Sequence, residues 1–148
     1  MSDERPDDLG AALFSELFMA DQLARNRISR VLPKGMKLSH FGVLNLLARV
    51  GEERTPAQLA RAFHVTRGAM SNTLARLEWA GHVHIRPDWE DARRKYVSIS
   101  PAGRRARDAA LASIAPLIDA AVAELGAGQV RAALPVLRAL RTRFEPGE

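Results

Sequence analysis

A chain of 148 residues with a formal net charge of +5 fits one domain, or one domain with an appended helical arm. At this length roughly 70% of the surface exposed by the unfolded chain can be buried, so folding needs no covalent staple. The absence of Cys excludes a disulfide scaffold, a thiolate nucleophile, a Cys-ligated zinc site and a thiol redox sensor. The 47% hydrophobic share excludes a disordered chain.

Residues 1–8 are polar and acidic and are expected to form a disordered tail. They carry no apolar run preceded by positive charge, so no targeting segment is expected. The longest apolar stretch, residues 109–123, is interrupted by Ser113, Pro116 and Asp119. It falls short of the ~20 residues of a bilayer span, and a cytoplasmic protein is the plain reading.

From residue 9 to 32 the pattern is helical. Leu9, Leu13, Leu17, Ala20 and Ala24 recur at spacings of three or four, and Phe14, Phe18 and Ile28 widen the stripe. Pro33-Lys34-Gly35 punctuates it. Ser39 is the expected cap of a second helix, with Phe41, Leu44, Leu47 and Ala48 inward and Gly51 at its end. Thr55-Pro56-Ala57-Gln58 starts a third: a capping hydroxyl, a proline at the first helical position and a glutamine that closes a capping box. This helix is short, because Phe63-His64-Val65 leads to another cap at Thr66. The fourth helix buries Met70, Leu74 and Leu77 and stops near Gly81. Two short helices across a tight turn predict a helix-turn-helix.

After Gly81 the period drops to two. Val83 and Ile85 alternate with His82, His84 and Arg86, and Val97 and Ile99 alternate with Tyr96, Ser98 and Ser100. The polar stretch between them, residues 87–94, is the tip of a β-hairpin. Ser100-Pro101 repeats the cap-then-proline start of a helix towards Leu125, bent at Pro116. Gly126-Ala127-Gly128 breaks it, and a last helix over about 129–144 puts Val130, Leu134, Leu137 and Leu140 on one face, with a kink at Pro135. No internal repeat is present.

Residues 60–107 hold ten basic groups (Arg61, Arg67, Arg76, Arg86, Arg93, Arg94, Lys95, Arg104, Arg105 and Arg107) against four acids (Glu78, Asp88, Glu90 and Asp91), a net +6 that leaves −1 for the rest. A basic face is often only a solvated surface. Its coincidence with a helix-turn-helix and hairpin favours phosphate neutralisation. On the fourth helix Gly68, Ser71, Asn72, Ala75 and Arg76 lie broadly opposite the apolar side. A small, polar leading face fits the major groove, with Gly68 permitting close approach and Asn72 able to bond both N6 and N7 of adenine. The hairpin tip carries Arg93, Arg94 and Lys95, cations suited to a minor groove, and Asp91 is spaced to hold Arg93. Trp89 either packs back on the protein or stacks near DNA, and packing is favoured. His82 and His84 share a strand face, and His64 and His40 stand apart. With no third ligand at metal spacing, neither a metal nor a cofactor is expected. Hydrolase, phosphate-loop and zincin motifs are missing, so an enzyme is not expected. The eight aromatics are too few for a sheet that stacks single strands.

Residues 38–103 resemble the MarR family of bacterial winged-helix transcription regulators. The resemblance rests on Leu38-Ser39, on Thr55-Pro56-Ala57-Gln58-Leu59-Ala60 and on Leu74-Ala75-Arg76-Leu77-Glu78-Trp79-Ala80-Gly81. It continues through Asp88, Asp91 and Arg93 to Ile99-Ser100-Pro101-Ala102-Gly103. The chain departs from the family at Trp89, where Pro is frequent, at Ala92, where Arg is, at His82, where a bulky aliphatic residue is, and at Ile99-Ser100, where Leu-Thr is. The resemblance implies a mainly α fold with a small β-hairpin wing: a winged helix-turn-helix over 36–100, an N-terminal dimerisation helix over 9–35 and C-terminal dimerisation helices over 101–148.

It further implies a homodimer joined through Leu13, Leu17, Leu134, Leu137 and Leu140, reading a near-palindromic double-stranded operator. Arg67, Gly68, Ser71, Asn72 and Arg76 would lie in or beside the major groove, and Arg93, with Arg94 and Lys95, at the minor groove. A repressor released by a small aromatic or anionic ligand is the expected regulation. By position in the family plan that ligand would lie among Phe14, Phe18, His40, Phe41 and Leu44. A constitutive DNA-binding protein without ligand, and a winged helix kept as a protein-interaction module, are the alternatives.

Overall fold

A computed structural model describes residues 6–147. The element order is α1 (Pro6–Val31), α2 (Leu38–Val50), α3 (Pro56–Ala62), α4 (Arg67–Trp79), β1 (Val83–Pro87), β2 (Lys95–Ile99), α5 (Pro101–Leu125) and α6 (Ala127–Phe144). The chain divides into two compact units, Met1–Ser113 and Ile114–Glu148, with α5 contributing to both. The fold is the expected winged helix-turn-helix: mainly helical, with one two-stranded antiparallel sheet.

In the first unit, α1 begins at Pro6, inside the stretch expected as a tail; residues 1–5 of that stretch lie outside the described residues. Helix α2 begins at Leu38, because the Phe41 N–H already bonds the Lys37 carbonyl at 3.1 Å. The expected cap at Ser39 is therefore two residues too late. Lys37 stands at the cap, and its own N–H donates to His40 Nδ1 at 3.2 Å. Gly51 closes the helix at φ +67°, a left-handed conformation that glycine adopts without strain.

Helices α3 and α4 start as their sequences dictate. The Thr55 hydroxyl accepts from Gln58 N–H at 3.1 Å while Gln58 Oε1 accepts from Thr55 N–H at 2.9 Å, and the Thr66 hydroxyl accepts from Ala69 N–H at 3.1 Å. The hairpin pairs Val83 with Ile99 and Ile85 with Val97, which puts the apolar residues on one face. Arg54 adds a third, one-residue rung: its N–H and C=O both bond Val97, at 3.0 and 2.8 Å.

Val43, Leu44 and Leu47 from α2, Leu59 and Ala60 from α3, Met70, Leu74 and Leu77 from α4, and Val83 and Val97 from the hairpin form one core. Val43 takes the inward place expected of Phe41 and Ala48, which are half-buried. Ser100 joins three elements: its hydroxyl donates to the Gly81 carbonyl at 2.6 Å and accepts from Gly103 N–H at 2.9 Å. Gly103 is required there, since a Cβ would collide with the His82 carbonyl.

In the second unit, Gly126 at φ +93° separates α5 from α6. Pro116 and Pro135 lie inside these helices, and each helix runs on past its proline. Helix α6 buries none of its residues. Among the described residues, no single helix is long and apolar enough to cross a membrane.

Candidate nucleic-acid interface

A concavity of about 570 Å³ lies between α3, the N-terminal end of α4 and the wing. Arg61, Arg67, Ser71, Arg93, Arg94 and Lys95 line it, with Asp91 the acid among them. The structure thus brings Arg67 and Ser71 together with the three wing cations. Residues 67 and 71 are one helical turn apart, so they share a face.

Asp91 is engaged by its neighbour: its Oδ1 accepts from Arg93 N–H at 3.1 Å and from Arg93 Nε at 3.2 Å. The Arg93 side chain is 93% exposed, so the rest of the guanidinium is presented outward from a held stem. The tip is closed by Asp88 N–H on the Arg94 carbonyl (2.8 Å) and Arg94 N–H on the Asp91 carbonyl (2.9 Å). Asp88 accepts from Glu90 N–H and from the Tyr96 hydroxyl. These bonds, the backbone donor first, hold its carboxyl below the ordinary carboxylate value.

At the base of the wing, Arg86 bonds both Glu53 oxygens, through Nε at 2.8 Å and Nη2 at 2.6 Å. Its guanidinium also lies 4.8 Å from the Tyr96 ring centre. This cluster escaped the sequence reading, since nothing in a local pattern marks a pair so far apart along the chain.

Gly68 and Asn72 are exposed on α4, and a Cβ at Gly68 would meet nothing within 4 Å. Arg76 faces elsewhere. It lines a second cavity, of about 770 Å³, together with Pro33, His40, Leu77, Trp79 and His82. The wheel explains the separation: 72 and 76 lie one turn apart on a face rotated from that of 67 and 71. Of the five residues expected to line a ligand pocket, only His40 borders this cavity. Leu44 is fully buried in the core, Phe41 is half-buried, and Phe18 is 67% exposed with its ring 5.8 Å from that of Phe14. The charged and imidazole groups of the cavity are Lys34, His40, Arg76 and His82, with no carboxylate among its lining residues. Burial first, then the positive charges of Lys37, Arg76 and His82, lowers the His40 pKa.

Trp89 does not pack back on the protein: it is 85% exposed. The tip turns on its own backbone bonds and leaves the indole outside. Among the described residues no group of three His, Cys, Asp or Glu is placed to hold a metal. The residues expected at a dimer interface are apolar and open to solvent in both units: Leu13 and Leu134 at 38%, Leu137 at 43%, with Leu17 and Leu140 half-buried.

A family's sequence model described as the MarR family matches residues 34–94, the stretch that carries α2, the helix-turn-helix, β1 and the tip. The transcriptional activatory protein BadR of Rhodopseudomonas palustris is 30% identical over 100 residues, which span 66% of this chain and 57% of that relative. The transcriptional regulator BldR from Sulfolobus solfataricus shares the fold over 95% of this chain and 100% of its own, with a TM-score of 0.84 at 22% identity. A cysteine-to-serine mutant of MarR from E. coli, solved with operator DNA, shares it over 94% and 99%, with a TM-score of 0.79 at 23% identity. The sequence pattern across the winged helix and the aligned relative make this chain similar to the MarR family over its helix-turn-helix and wing, and the solved structures share its fold.

Proposed function

We propose that the chain is a homodimeric, sequence-specific reader of double-stranded DNA that regulates transcription. In this reading α4 enters the major groove with Arg67, Gly68, Ser71 and Asn72, and Arg93 reaches the minor groove. Residues 36–100 are the DNA-binding domain, and 9–35 and 101–148 the dimerisation arm. The observation that carries it is the concavity between α4 and the wing, where five cations face one carboxylate that is already bonded to Arg93. Such a surface gains from neutralising phosphates and releasing their counterions.

The exposed apolar residues of α1 and α6 support the dimer. Leu9, Leu13 and Leu23 on α1, and Leu134, Leu137 and Val136 on α6, are each at least 38% exposed, more apolar surface than a lone small domain leaves in water. A two-fold pair would set two α4 helices about one DNA turn apart. The second cavity supports release by a small anionic ligand, because its polar lining is cationic or imidazole. Helix α4 walls both concavities, so a ligand held by Arg76 would bear on the DNA-reading helix. It would repress or release only by favouring one arrangement of that helix over another. Such a reader works in the cytoplasm.

Sedimentation of the purified chain and titration of a mixed-sequence duplex at rising salt test the proposal. The expected results are a dimer, and a binding constant that falls log-linearly with salt. A monomer, or no duplex binding at low salt, would contradict it.

A further inference from the structure

We propose that the indole of Trp89 is a DNA-contacting group of the wing, lying against the deoxyribose edge beside the point where Arg93 enters the minor groove. The proposal rests on the DNA-reading function above and adds to it a contact by an uncharged side chain. An indole 85% exposed contributes little to the fold, and water solvates its rings poorly. Here it stands on a turn that is fixed from both sides. The neighbouring Asp88 is bonded through its N–H to Arg94, through one carboxylate oxygen to Glu90 N–H at 2.9 Å, and through the other to the Tyr96 hydroxyl at 3.2 Å. The ring is therefore presented on a pre-organised support, and little conformational freedom of the loop remains to be lost on contact.

Charge selects the occupant. The same tip displays Arg93, Arg94 and Lys95 beside Arg61 and Arg67, and the carboxylates of Asp88 and Asp91 are turned onto the loop's own donors. A polyanion is drawn to that surface, and the apolar parts of duplex DNA that a wing tip meets are its sugars. Apolar side chains are known at minor-groove contacts, where they wedge at base steps; a ring held at the edge of the groove meets the sugars instead. Glu90, exposed next to the indole, would oppose nearby phosphates.

The chain has two tryptophans, so Trp79→Phe leaves Trp89 as the reporter; Trp79 is itself 92% exposed. In that background, addition of a mixed-sequence duplex should quench or shift the Trp89 emission. Trp89→Ala should weaken duplex binding by roughly five- to thirty-fold, the factor set by one or two kcal/mol. The salt slope should stay the same, because no charge is removed, and the melting temperature should hold. Trp89→Phe should retain part of the affinity, and Glu90→Gln should tighten binding. Duplex binding with unchanged emission and an unaffected Trp89→Ala variant would overturn the contact and leave the DNA-reading function standing. No duplex binding by any variant would overturn both.

Discussion

Glu53 and Arg86, 33 residues apart, meet through two hydrogen bonds, Nε to Oε1 at 2.8 Å and Nη2 to Oε2 at 2.6 Å. The pair ties the segment before α3 to the first strand of the wing, and Arg54, the next residue along, bonds the second strand through Val97. Both side chains are more than a third exposed, so the pair contributes little net stability. It joins the base of the wing to the segment that leads into α3, and the wing and α3 together line the concavity that holds Arg93 and Arg67.

Glu53→Gln should therefore leave the fold intact and loosen the wing. The Arg86 hydrogen bonds hold the Glu53 carboxyl below its ordinary value of 4.5. A depressed folded pKa contributes stability that is present above the unfolded value and lost as pH falls through the folded one. Amide protection factors in β1 and β2, corrected for the intrinsic exchange rate at each pH, should fall in the wild type as pH drops below 4.5, and should be reduced already at neutral pH in Glu53→Gln. Equal protection in the two proteins at neutral pH would show that the pair does not position the wing.

Arg93→Ala should weaken binding to every duplex by a similar factor and reduce the magnitude of the log-log salt slope by about 1, the signature of one lost phosphate-neutralising contact. Asp91→Asn should change affinity less, since freeing the guanidinium stem is offset by removing a carboxylate that opposes phosphates. Titration of one duplex at several salt concentrations checks both, and an unchanged slope for Arg93→Ala would count against the wing contact.

Gly68→Ala separates folding from reading. The protein leaves open space at this position, and alanine in a helix favours the fold by roughly 0.4–1 kcal/mol over glycine. The variant should melt higher and bind DNA more weakly, since only an external backbone approach needs the missing methyl. A variant that melts higher and binds equally well would place the DNA off this face of α4.

His40 gives the acid side of neutral pH. Its Nδ1 accepts from Lys37 N–H at the start of α2, which requires the neutral ring. Burial and the charges of Lys37, Arg76 and His82 lower its pKa from 6.5. The unfolded chain then takes the proton first, so stability should decline as pH falls below 6.5. Thermal melts between neutral and mildly acidic pH should show that decline in the wild type and a flatter profile in His40→Gln.

Gly103→Ala should be the most damaging small change. The added methyl would meet the His82 carbonyl, where Ser100 holds the end of α4, the start of β1 and the start of α5 together. Loss of several degrees in melting temperature, against a mild effect for Gly128→Ala, whose Cβ meets nothing, is the expected contrast.

Much of this fold is legible locally. Thr55, Gln58, Thr66 and Ser100 each announce a helix start through a side chain and a backbone N–H three residues away, so a short window contains the whole interaction. The hairpin reads equally well, since Val83, Ile85, Val97 and Ile99 alternate. Legibility ends where partners are distant. Glu53 with Arg86, Arg54 with Val97 and Tyr96 with Asp88 depend on how the wing folds back, and no periodicity encodes that. Arg76 shows a finer limit: a polar position on the right helix faced the other cavity, because a turn of 100° per residue separates positions that a coarse two-sided wheel joins. Trp89 shows the converse. An apolar residue was expected to find cover, and the tip's backbone bonds left it outside.

Selection of bound duplexes from a random DNA pool by the purified chain at physiological salt tests the central claim most directly. A dimer that reads DNA through two α4 helices and two wings should enrich an inverted repeat with half-sites about one helical turn apart. Binding without enrichment would leave only a salt-dependent electrostatic surface and would contradict sequence-specific reading.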